Sequence, residues 1–374
     1  MPIPLDEYPV HQVPLSLEHP GTSDPNFYDR CYFNGHDRTG DLFLITGLGV
    51  YPNLGVIDAY ATVRKGDTQY TVRTSDALGD DRMRMAVGPY RVEVIEPLQT
   101  LRLVCDGHDH GIGFDLTWTG SFPAVEEAHH VVRRQGRVII DACRFAQLGT
   151  WSGTLHVDGD DIAVDDATWV GSRDRSWGIR PVGGAEAPNR ASEEFDPRFG
   201  FWWTYVPLRF DDFALVLIMQ EDGDGFRSLN DAVRVRPADD GGRPVIEQLG
   251  WPEIDIRYRS GTRVPTGAVI RMADRSGKPV TVEVESKGYV VLHAGPGYGT
   301  DPDWSHGQWK GRNYVEGVAV DMNDPDVVAR TPFGVIDHVA RADCDGQEGW
   351  GLFEHGTIGR HAPSGFDDFG SVAP

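Results

Sequence analysis

The sequence has 374 residues, and 57 acidic against 35 basic side chains give a formal net charge of −22. A negative field of this size repels phosphate backbones and anionic lipid headgroups, which argues against nucleic-acid and membrane-surface partners. The length favours two domains over one core, and no apolar stretch approaches the roughly 20 residues of a membrane span. The start lacks a secretory signal and the four cysteines have no paired spacing. We therefore expect a cytoplasmic protein with free thiols.

The predicted elements begin with an extended N-terminal arm over residues 1–28, where repeated prolines disfavour a helix. A first β unit follows over residues 29–184. Its clearest hairpin pairs residues 56–64 with 68–73 across a tight turn. Repeated strands and turns without any helical period indicate an all-β barrel or sandwich.

The second half is predicted to be a second β unit. A polar, proline-bearing stretch at residues 185–198 precedes it and is interpreted as a linker, or as a lid over a barrel mouth. The unit itself covers residues 199–374 and begins with a run of aromatic residues. Turn residues again separate short apolar runs, which is typical of antiparallel strands.

Within this second unit, residues 280–285 alternate most regularly between apolar and polar side chains and are predicted to pair with residues 268–272. Residues 304–310 and 314–320 are predicted to be strands that complete the second barrel. Residues 324–330 are one of the few places where the sequence allows a helical turn.

Residues 169–184 combine arginines, glycines and two tryptophans with a single acid, Asp174. In an extended segment Asp174 shares its face with Ser172 and Ser176, while the two flanking arginines point to the opposite face. A carboxyl group inside a barrel has its pKa raised by desolvation, as a general acid requires. The alternative is a buried aspartate paired with an arginine to fix a barrel corner.

The junction of the two units is rich in aromatic residues, namely Trp169, Trp177, Phe201, Trp202, Trp203 and Tyr205. On a strand, Phe201, Trp203 and Tyr205 share one face and Trp202 takes the other. Such rings can line a large pocket and stabilise a carbocation by roughly 0.5–2 kcal/mol each. They can equally fill two cores, and the sequence leaves both alternatives open.

Three histidines are candidates for a site. His130 is the second of two adjacent histidines, so one of the pair faces inwards on a strand. His338 and His355 each follow an acidic residue late in the chain. None has the ligand spacing of a zinc site, and no nucleotide-binding loop or nucleophile elbow is present. We therefore expect no metal and no cofactor.

The order Gly171, Arg173-Asp174, Ser176-Trp177-Gly178 and Arg180 resembles the central motif of the hydroxyneurosporene synthase (carotenoid 1,2-hydratase) and AttH superfamily. Weaker matches follow the same order over nearly the whole chain, at residues 88–93, 114–120, 147–153, 304–307 and 353–356. The resemblance implies an all-β fold of two lipocalin-like antiparallel β-barrels in tandem, over residues 29–184 and 199–374.

The resemblance also implies chemistry without a cofactor, because members of that superfamily hydrate or cyclise isoprenoid and related alkenes, or steer pericyclic steps. It gives Asp174 the role of the acid or of the group that holds the acid, Trp177 and Trp203 the role of cation-stabilising walls, and Tyr205 or His130 the placing of water. The residues expected to contact substrate are Trp169, Phe201, Trp202, Trp203, His338 and His355.

The sequence departs from the superfamily at Arg175, where carotenoid hydratases often have a histidine. The expected protein is thus a lyase of the hydro-lyase type, or a cyclase or isomerase, acting on a hydrophobic terpenoid-like small molecule. An enzyme that steers a pericyclic step and a non-catalytic carrier of hydrophobic ligands remain as alternatives. The oligomeric state stays open, with a homodimer as one option.

Overall fold

The structure is a computed structural model that describes residues 2, 4–134, 136–183, 199–237, 244–299 and 301–374. A 3₁₀ turn at Pro4–Glu7 precedes the first strand. The strands of the first half are β1 (Phe27–His36), β2 (Leu42–Tyr51), β3 (Val56–Lys65), β4 (Thr68–Ala77), β5 (Ala86–Val87), β6 (Tyr90–Glu96), β7 (Thr100–Cys105), β8 (Ile112–Gly120), β9 (Val125–Glu126), β10 (His130–Arg134), β11 (Arg137–Val157), β12 (Asp160–Val164) and β13 (Val170–Ile179).

The second half continues with strands and one short helix. The strands are β14 (Gly200–Arg209), β15 (Ala214–Asp222), β16 (Arg227–Arg236), β17 (Val245–Gln248), β18 (Glu253–Tyr258), β19 (Pro265–Ala273), β20 (Pro279–Val291), β21 (Tyr314–Asp321), β22 (Ile336–Cys344) and β23 (Gln347–Gly359). The helix α1 (Pro325–Arg330) lies within the predicted helical stretch, and the Asp324 carboxylate caps it by accepting the Asp326 N–H at 2.8 Å.

The strands form two antiparallel sheets. The first contains 14 strands in the order β21-β4-β3-β2-β1-β13-β11-β8-β7-β6-β5, with β9, β10 and β12 also paired to β11. The second contains nine strands in the order β17-β16-β15-β14-β23-β22-β20-β19-β18. Each sheet curls into an open barrel, so the predicted all-β fold of two tandem lipocalin-like units is confirmed. The boundaries of the two domains stay a prediction, and residues 185–198, the predicted linker or lid, lie outside the described residues.

Alternating residues explain the local pairing. The predicted hairpin forms between β3 and β4, and β19 pairs with β20 with Met272 opposite Val280, as predicted. Apolar side chains on the inner faces build one core for the first sheet, around Trp118 and Trp151, and a second core for the second sheet, around Phe353. A third cluster contains residues of both sheets, which therefore pack against each other.

Two predictions for the second unit were wrong, namely the strand at residues 304–310 and the sheet that residues 314–320 join. Residues 304–310 form no strand. Trp304 lies buried in a loop instead, and its ring stacks on the Tyr314 ring at a centroid distance of 6.0 Å. Strand β21 joins the first sheet instead of the second, with Tyr314 opposite Ser75 of β4. The edge of β4 would otherwise expose unpaired backbone groups, and β21 satisfies them.

All four cysteines are free thiols, and Cys143 is half-buried while the other three are buried. No helix in the described residues has the length and apolar character that crossing a bilayer requires.

Candidate active site

A cavity of about 340 Å³ lies between the two sheets, within the size range of small-molecule sites. We call it the chamber. The first sheet and the segments next to it contribute Tyr28, Arg30, Tyr32, Glu127, His130, Arg144, Asp174, Ser176 and Arg180. The second sheet and its loops contribute Phe201, Trp203, Tyr205, Ile218, Leu292, Tyr298, Val335 and Glu354. The walls therefore combine aromatic and aliphatic side chains with three arginines and three carboxyl groups.

Asp174 reaches the chamber from the middle of β13, which lies between β1 and β11. It is opposite Tyr32 on one side and Ala146 on the other. The neighbouring Asn34 of β1 is fully buried; it donates to Ser172 Oγ at 2.7 Å and accepts from the Ser172 N–H at 3.0 Å. These bonds fix the position of β13, so Asp174 and Ser176 face the chamber as the alternation predicts.

The alternative of a structural ion pair at Asp174 does not hold. Arg173 turns away to donate to Gln147 Oε1 at 2.7 Å, and Arg175 pairs with Asp29 at 2.9 Å. Within the described residues, no hydrogen bond or ion pair joins the Asp174 carboxyl to Arg173 or Arg180. The acid is thus free to interact with a molecule in the chamber.

Burial raises the pKa of Asp174 from 3.8 to about 7. The negative charge of Glu127 adds to this rise, and Arg144 partly opposes it. The surface that Asp174 keeps is turned to the chamber, so desolvation by the surrounding walls outweighs the cation. At neutral pH a substantial fraction of Asp174 carries a proton that it can transfer.

Strand β14 supplies the aromatic wall. Phe201, Trp203 and Tyr205 line the chamber, as their shared face predicts, and the rings of Phe201 and Trp203 stack with an interplanar angle of 8°. Trp202 points into the core of the second sheet and stacks on His361. The Tyr205 hydroxyl is buried next to the Glu127 carboxyl, whose pKa it lowers, and it lines the chamber, where it can bind a polar group of a ligand.

A buried polar cluster adjoins that wall. Arg144 lies 3.0 Å from Glu127, 3.4 Å from His130 Nδ1 and over the Trp203 ring at 5.4 Å. Burial, followed by the charge of Arg144, lowers the pKa of His130 to about 3, so its imidazole is neutral. His130 Nε2 is buried, and the Gln220 side chain lies near the ring. The cluster therefore offers a neutral ring nitrogen, not an imidazolium, to the chamber.

Two further acids belong to this region although the sequence reasoning passed over them. Glu354 lines the chamber and accepts a hydrogen bond from Trp203 Nε1. Asp337, fully buried, lies directly opposite Glu354 in the pairing of β22 and β23 and accepts from the Tyr32 hydroxyl at 2.5 Å. The available signal was the order Asp337-His338 and Glu354-His355, because adjacent residues on a strand face opposite sides.

The partner histidines consequently lie away from the chamber. His338 interacts with Ser286 Oγ at 2.6 Å, and His355 with Tyr258 Oη at 3.0 Å, both inside the second sheet. Burial lowers the pKa of each histidine to about 3. Their predicted contact with substrate is therefore wrong for this chamber.

Three predicted tryptophans also lie elsewhere. Trp177 is on the face of β13 opposite Asp174 and is 38% exposed, so the cation-stabilising role predicted for it is wrong. Trp169 is part of the core of the first sheet, and Trp202 of the second. The rings were correctly placed near the junction, but only those on one strand face reach the chamber. No group of three metal-ligating side chains occurs among the residues that the structure describes.

Comparisons with known proteins agree on the fold. No curated protein matches the sequence, whereas residues 3–367 match the Family of unknown function (DUF8625). Kievitone hydratase from Nectria haematococca is 14% identical over 87% of this chain and 88% of its own, with a TM-score of 0.50. An AttH-type protein from Nitrosomonas europaea is 14% identical over 95% and 98%, with a TM-score of 0.54. CghA is 11% identical over 88% of each chain, with a TM-score of 0.51. The resemblance predicted from the central motif is confirmed as a shared fold.

Proposed function

The chain belongs to the family of unknown function DUF8625, and from this premise and the chamber we propose that it is an enzyme that protonates a carbon–carbon double bond. The substrate is a hydrophobic, terpenoid-like alkene. The cation is captured either by water, which makes the enzyme a hydro-lyase, or by a second double bond, which makes it a cyclase. Neither route requires a cofactor.

The observation that carries the proposal is the state of Asp174. It is half-buried, faces the chamber, forms no ion pair in the described chain and has a pKa of about 7. A carboxylic acid in such surroundings can deliver its proton at neutral pH without the competition of solvent. General acid catalysis of this kind contributes typically 10²–10⁴-fold to a rate.

The walls support the cation that would follow. Phe201, Trp203 and Tyr32 present aromatic rings to the chamber, each contributing roughly 0.5–2 kcal/mol to a nearby cation. The carboxyl group of Glu354 adds negative potential when it is ionised, whereas the charge of Glu127 is offset by Arg144 at 3.0 Å. Aromatic rings and an ionised acid stabilise the carbocation relative to the neutral alkene and the neutral product.

Water has a defined place in this scheme. The Tyr205 hydroxyl and His130 Nε2 are buried, and both side chains line the chamber. Both can hydrogen-bond one water molecule at the chamber wall, and neutral His130 can accept its proton weakly or orient it. We assign these two residues to the positioning of the nucleophile.

The proposal is tested with a panel of isoprenoid alkenes in oxygen-18 water, by mass spectrometry of the products. Wild type should yield an alcohol that contains the label. Asp174→Asn should lower turnover by about 10²–10⁴-fold, while ligand affinity, measured by tryptophan fluorescence, stays nearly unchanged. The matched control is Asp343→Asn, an exposed aspartate on β22, which should turn over normally.

Other outcomes separate the alternatives. Unchanged turnover in Asp174→Asn contradicts the assigned acid. A product without oxygen-18 indicates cyclisation, isomerisation or a pericyclic step. These routes stay in the test because CghA, which shares the fold, is also solved with a bound small molecule, Sch210972. Binding without turnover across the panel would leave a carrier of hydrophobic ligands.

A further inference from the structure

Asp337 and Glu354 form a pair of carboxyl groups at the base of the chamber. They lie directly opposite each other on β22 and β23, a position that brings Cβ atoms to about 4.5–5.5 Å. Residues opposite each other project from the same face of the sheet, here towards the chamber. Asp337 is fully buried behind Glu354, which reaches the chamber wall.

Each acid has one neutral donor. The Tyr32 hydroxyl donates to Asp337 Oδ2 at 2.5 Å, and Trp203 Nε1 donates to Glu354 Oε1. Neither carboxyl forms an ion pair with any cation in the described chain. Asp337 Oδ1 is buried and has no donor among the described residues. Two adjacent carboxylates without a cation would repel each other strongly in such a site, so one of them keeps a proton.

We infer that Asp337 and Glu354 share one proton, held between Asp337 Oδ1 and Glu354, and that Glu354 is the base for the attacking water. This inference rests on the proposed hydration. Glu354 is the catalytic residue, because it meets the chamber; Asp337 is a positioning residue that acts through it.

The proton balance of the step is closed. The alkene carbon takes a proton from Asp174, the water oxygen bonds to the cationic carbon, and one O–H bond of that water breaks. Its proton goes to Glu354, so the pair then holds two protons and Asp174 none. Return of one proton from the pair to Asp174 restores the starting state, and the net reaction adds one water to one double bond.

The surroundings of the pair are consistent with a bound proton. Burial raises the pKa of both acids, and the negative charge of Glu354 raises that of Asp337 further. The groups that face the pair from other elements are Tyr32, Tyr60, Glu127, Arg144, Asp174, Arg180 and Tyr205. Arg144 and Arg180 lower the pKa of Glu354, which favours the arrangement in which Asp337 holds the shared proton and Glu354 is ionised and able to accept another.

Infrared spectroscopy of the whole chain tests the shared proton without any substrate. At about pH 9, two units above the pKa of about 7 of Asp174 and of Asp58, wild type should retain a protonated-carboxyl C=O band. Asp337→Asn and Glu354→Gln should each lose that band, because the remaining acid gains an amide donor and no longer faces a second carboxylate. The same two strands provide matched controls in the exposed pair Asp343 and Glu348, where Asp343→Asn and Glu348→Gln should leave it intact.

Activity provides the second measurement. Glu354→Gln should lower oxygen-18 incorporation by about 10²–10⁴-fold. If the variants do not fold, wild type alone remains decisive, since absence of any protonated-carboxyl band at that pH would overturn the shared proton. A band with the same frequency and amplitude in wild type and in both folded variants would also overturn it. Failure of wild type to incorporate oxygen-18 would reject the hydration and with it the role of Glu354 as base, while the infrared result would still stand for the shared proton.

Discussion

The burial of Asp174 should cost stability in a way that depends on pH, and Asp174→Asn should reveal that cost. The pKa of this carboxyl rises from 3.8 to about 7 in the folded protein. A carboxyl with a raised folded-state pKa binds its proton more tightly in the native state. The free energy of unfolding therefore falls as pH rises from about 4 to about 7, and the loss is complete above that interval.

The magnitude follows from the two pKa values. A rise of about three units at 1.36 kcal/mol per unit gives a full cost of about 4 kcal/mol, which is an upper bound because part of the carboxyl keeps contact with the chamber. Between pH 5 and 8 the linkage relation gives about 2.5 kcal/mol of that cost. Asparagine does not titrate, so Asp174→Asn should gain this amount relative to wild type over the same interval.

Urea unfolding followed by tryptophan fluorescence at several pH values measures the difference. Asp343→Asn, exposed on β22, is the matched control, and its difference from wild type should not follow the same trend. A stability difference between Asp174→Asn and wild type that is constant from pH 5 to 8 would refute the reasoning. A variant that becomes less stable than wild type as pH rises would refute it equally.

Three further predictions concern the chamber. Turnover, expressed as kcat/KM, should fall as pH rises through about 7 because Asp174 loses its proton, and a rise across that interval would contradict its role as acid. Tyr32→Phe removes the donor to Asp337 and should lower the free energy of unfolding by about 1–3 kcal/mol in urea denaturation, because a buried acceptor is left unsatisfied; no change would mean that Asp337 does not need this bond. Arg144→Met should cost roughly 3–5 kcal/mol by stranding buried Glu127, and the double variant with Glu127→Gln should recover part of it.

The period of two residues allowed much of the fold and part of the site to be predicted. Alternation and turn residues identified the β3–β4 and β19–β20 hairpins, whose partners are close in sequence. The same alternation placed Asp174 with Ser176, and Phe201 with Trp203 and Tyr205, on common faces. Local rules suffice here because the geometry of a strand fixes relative side-chain directions.

Alternation alone does not say which of the two faces meets a cavity. His338 and His355 were predicted as substrate contacts instead of their acidic neighbours. Asp337 and Glu354, however, are the residues turned towards the chamber. The choice depends on how the two sheets pack, which involves residues far apart in the sequence. Trp177 failed for the same reason, because composition placed it near the site but one residue out of phase.

Long-range pairing was also beyond local reasoning. Strand β21 pairs with β4, about 240 positions earlier in the chain, and nothing in residues 314–320 distinguishes this partner from a neighbouring strand. Loop residues that fill a core, such as Trp304, resemble a strand in composition. Only the complete sheet topology shows which edge strand has unpaired backbone groups that need a partner.

The late position of β21 has a consequence for biosynthesis. Because this strand covers β4, the N-terminal barrel cannot reach its finished form on the ribosome until residue 321 has emerged. Until then the nascent chain carries an uncapped edge, and Gln69 of β4 lacks the Val291 and Ala294 carbonyls that it later binds. We therefore expect that the two halves of this protein, expressed separately, do not fold as stable fragments, because the second half contains strand β21, which completes the first sheet.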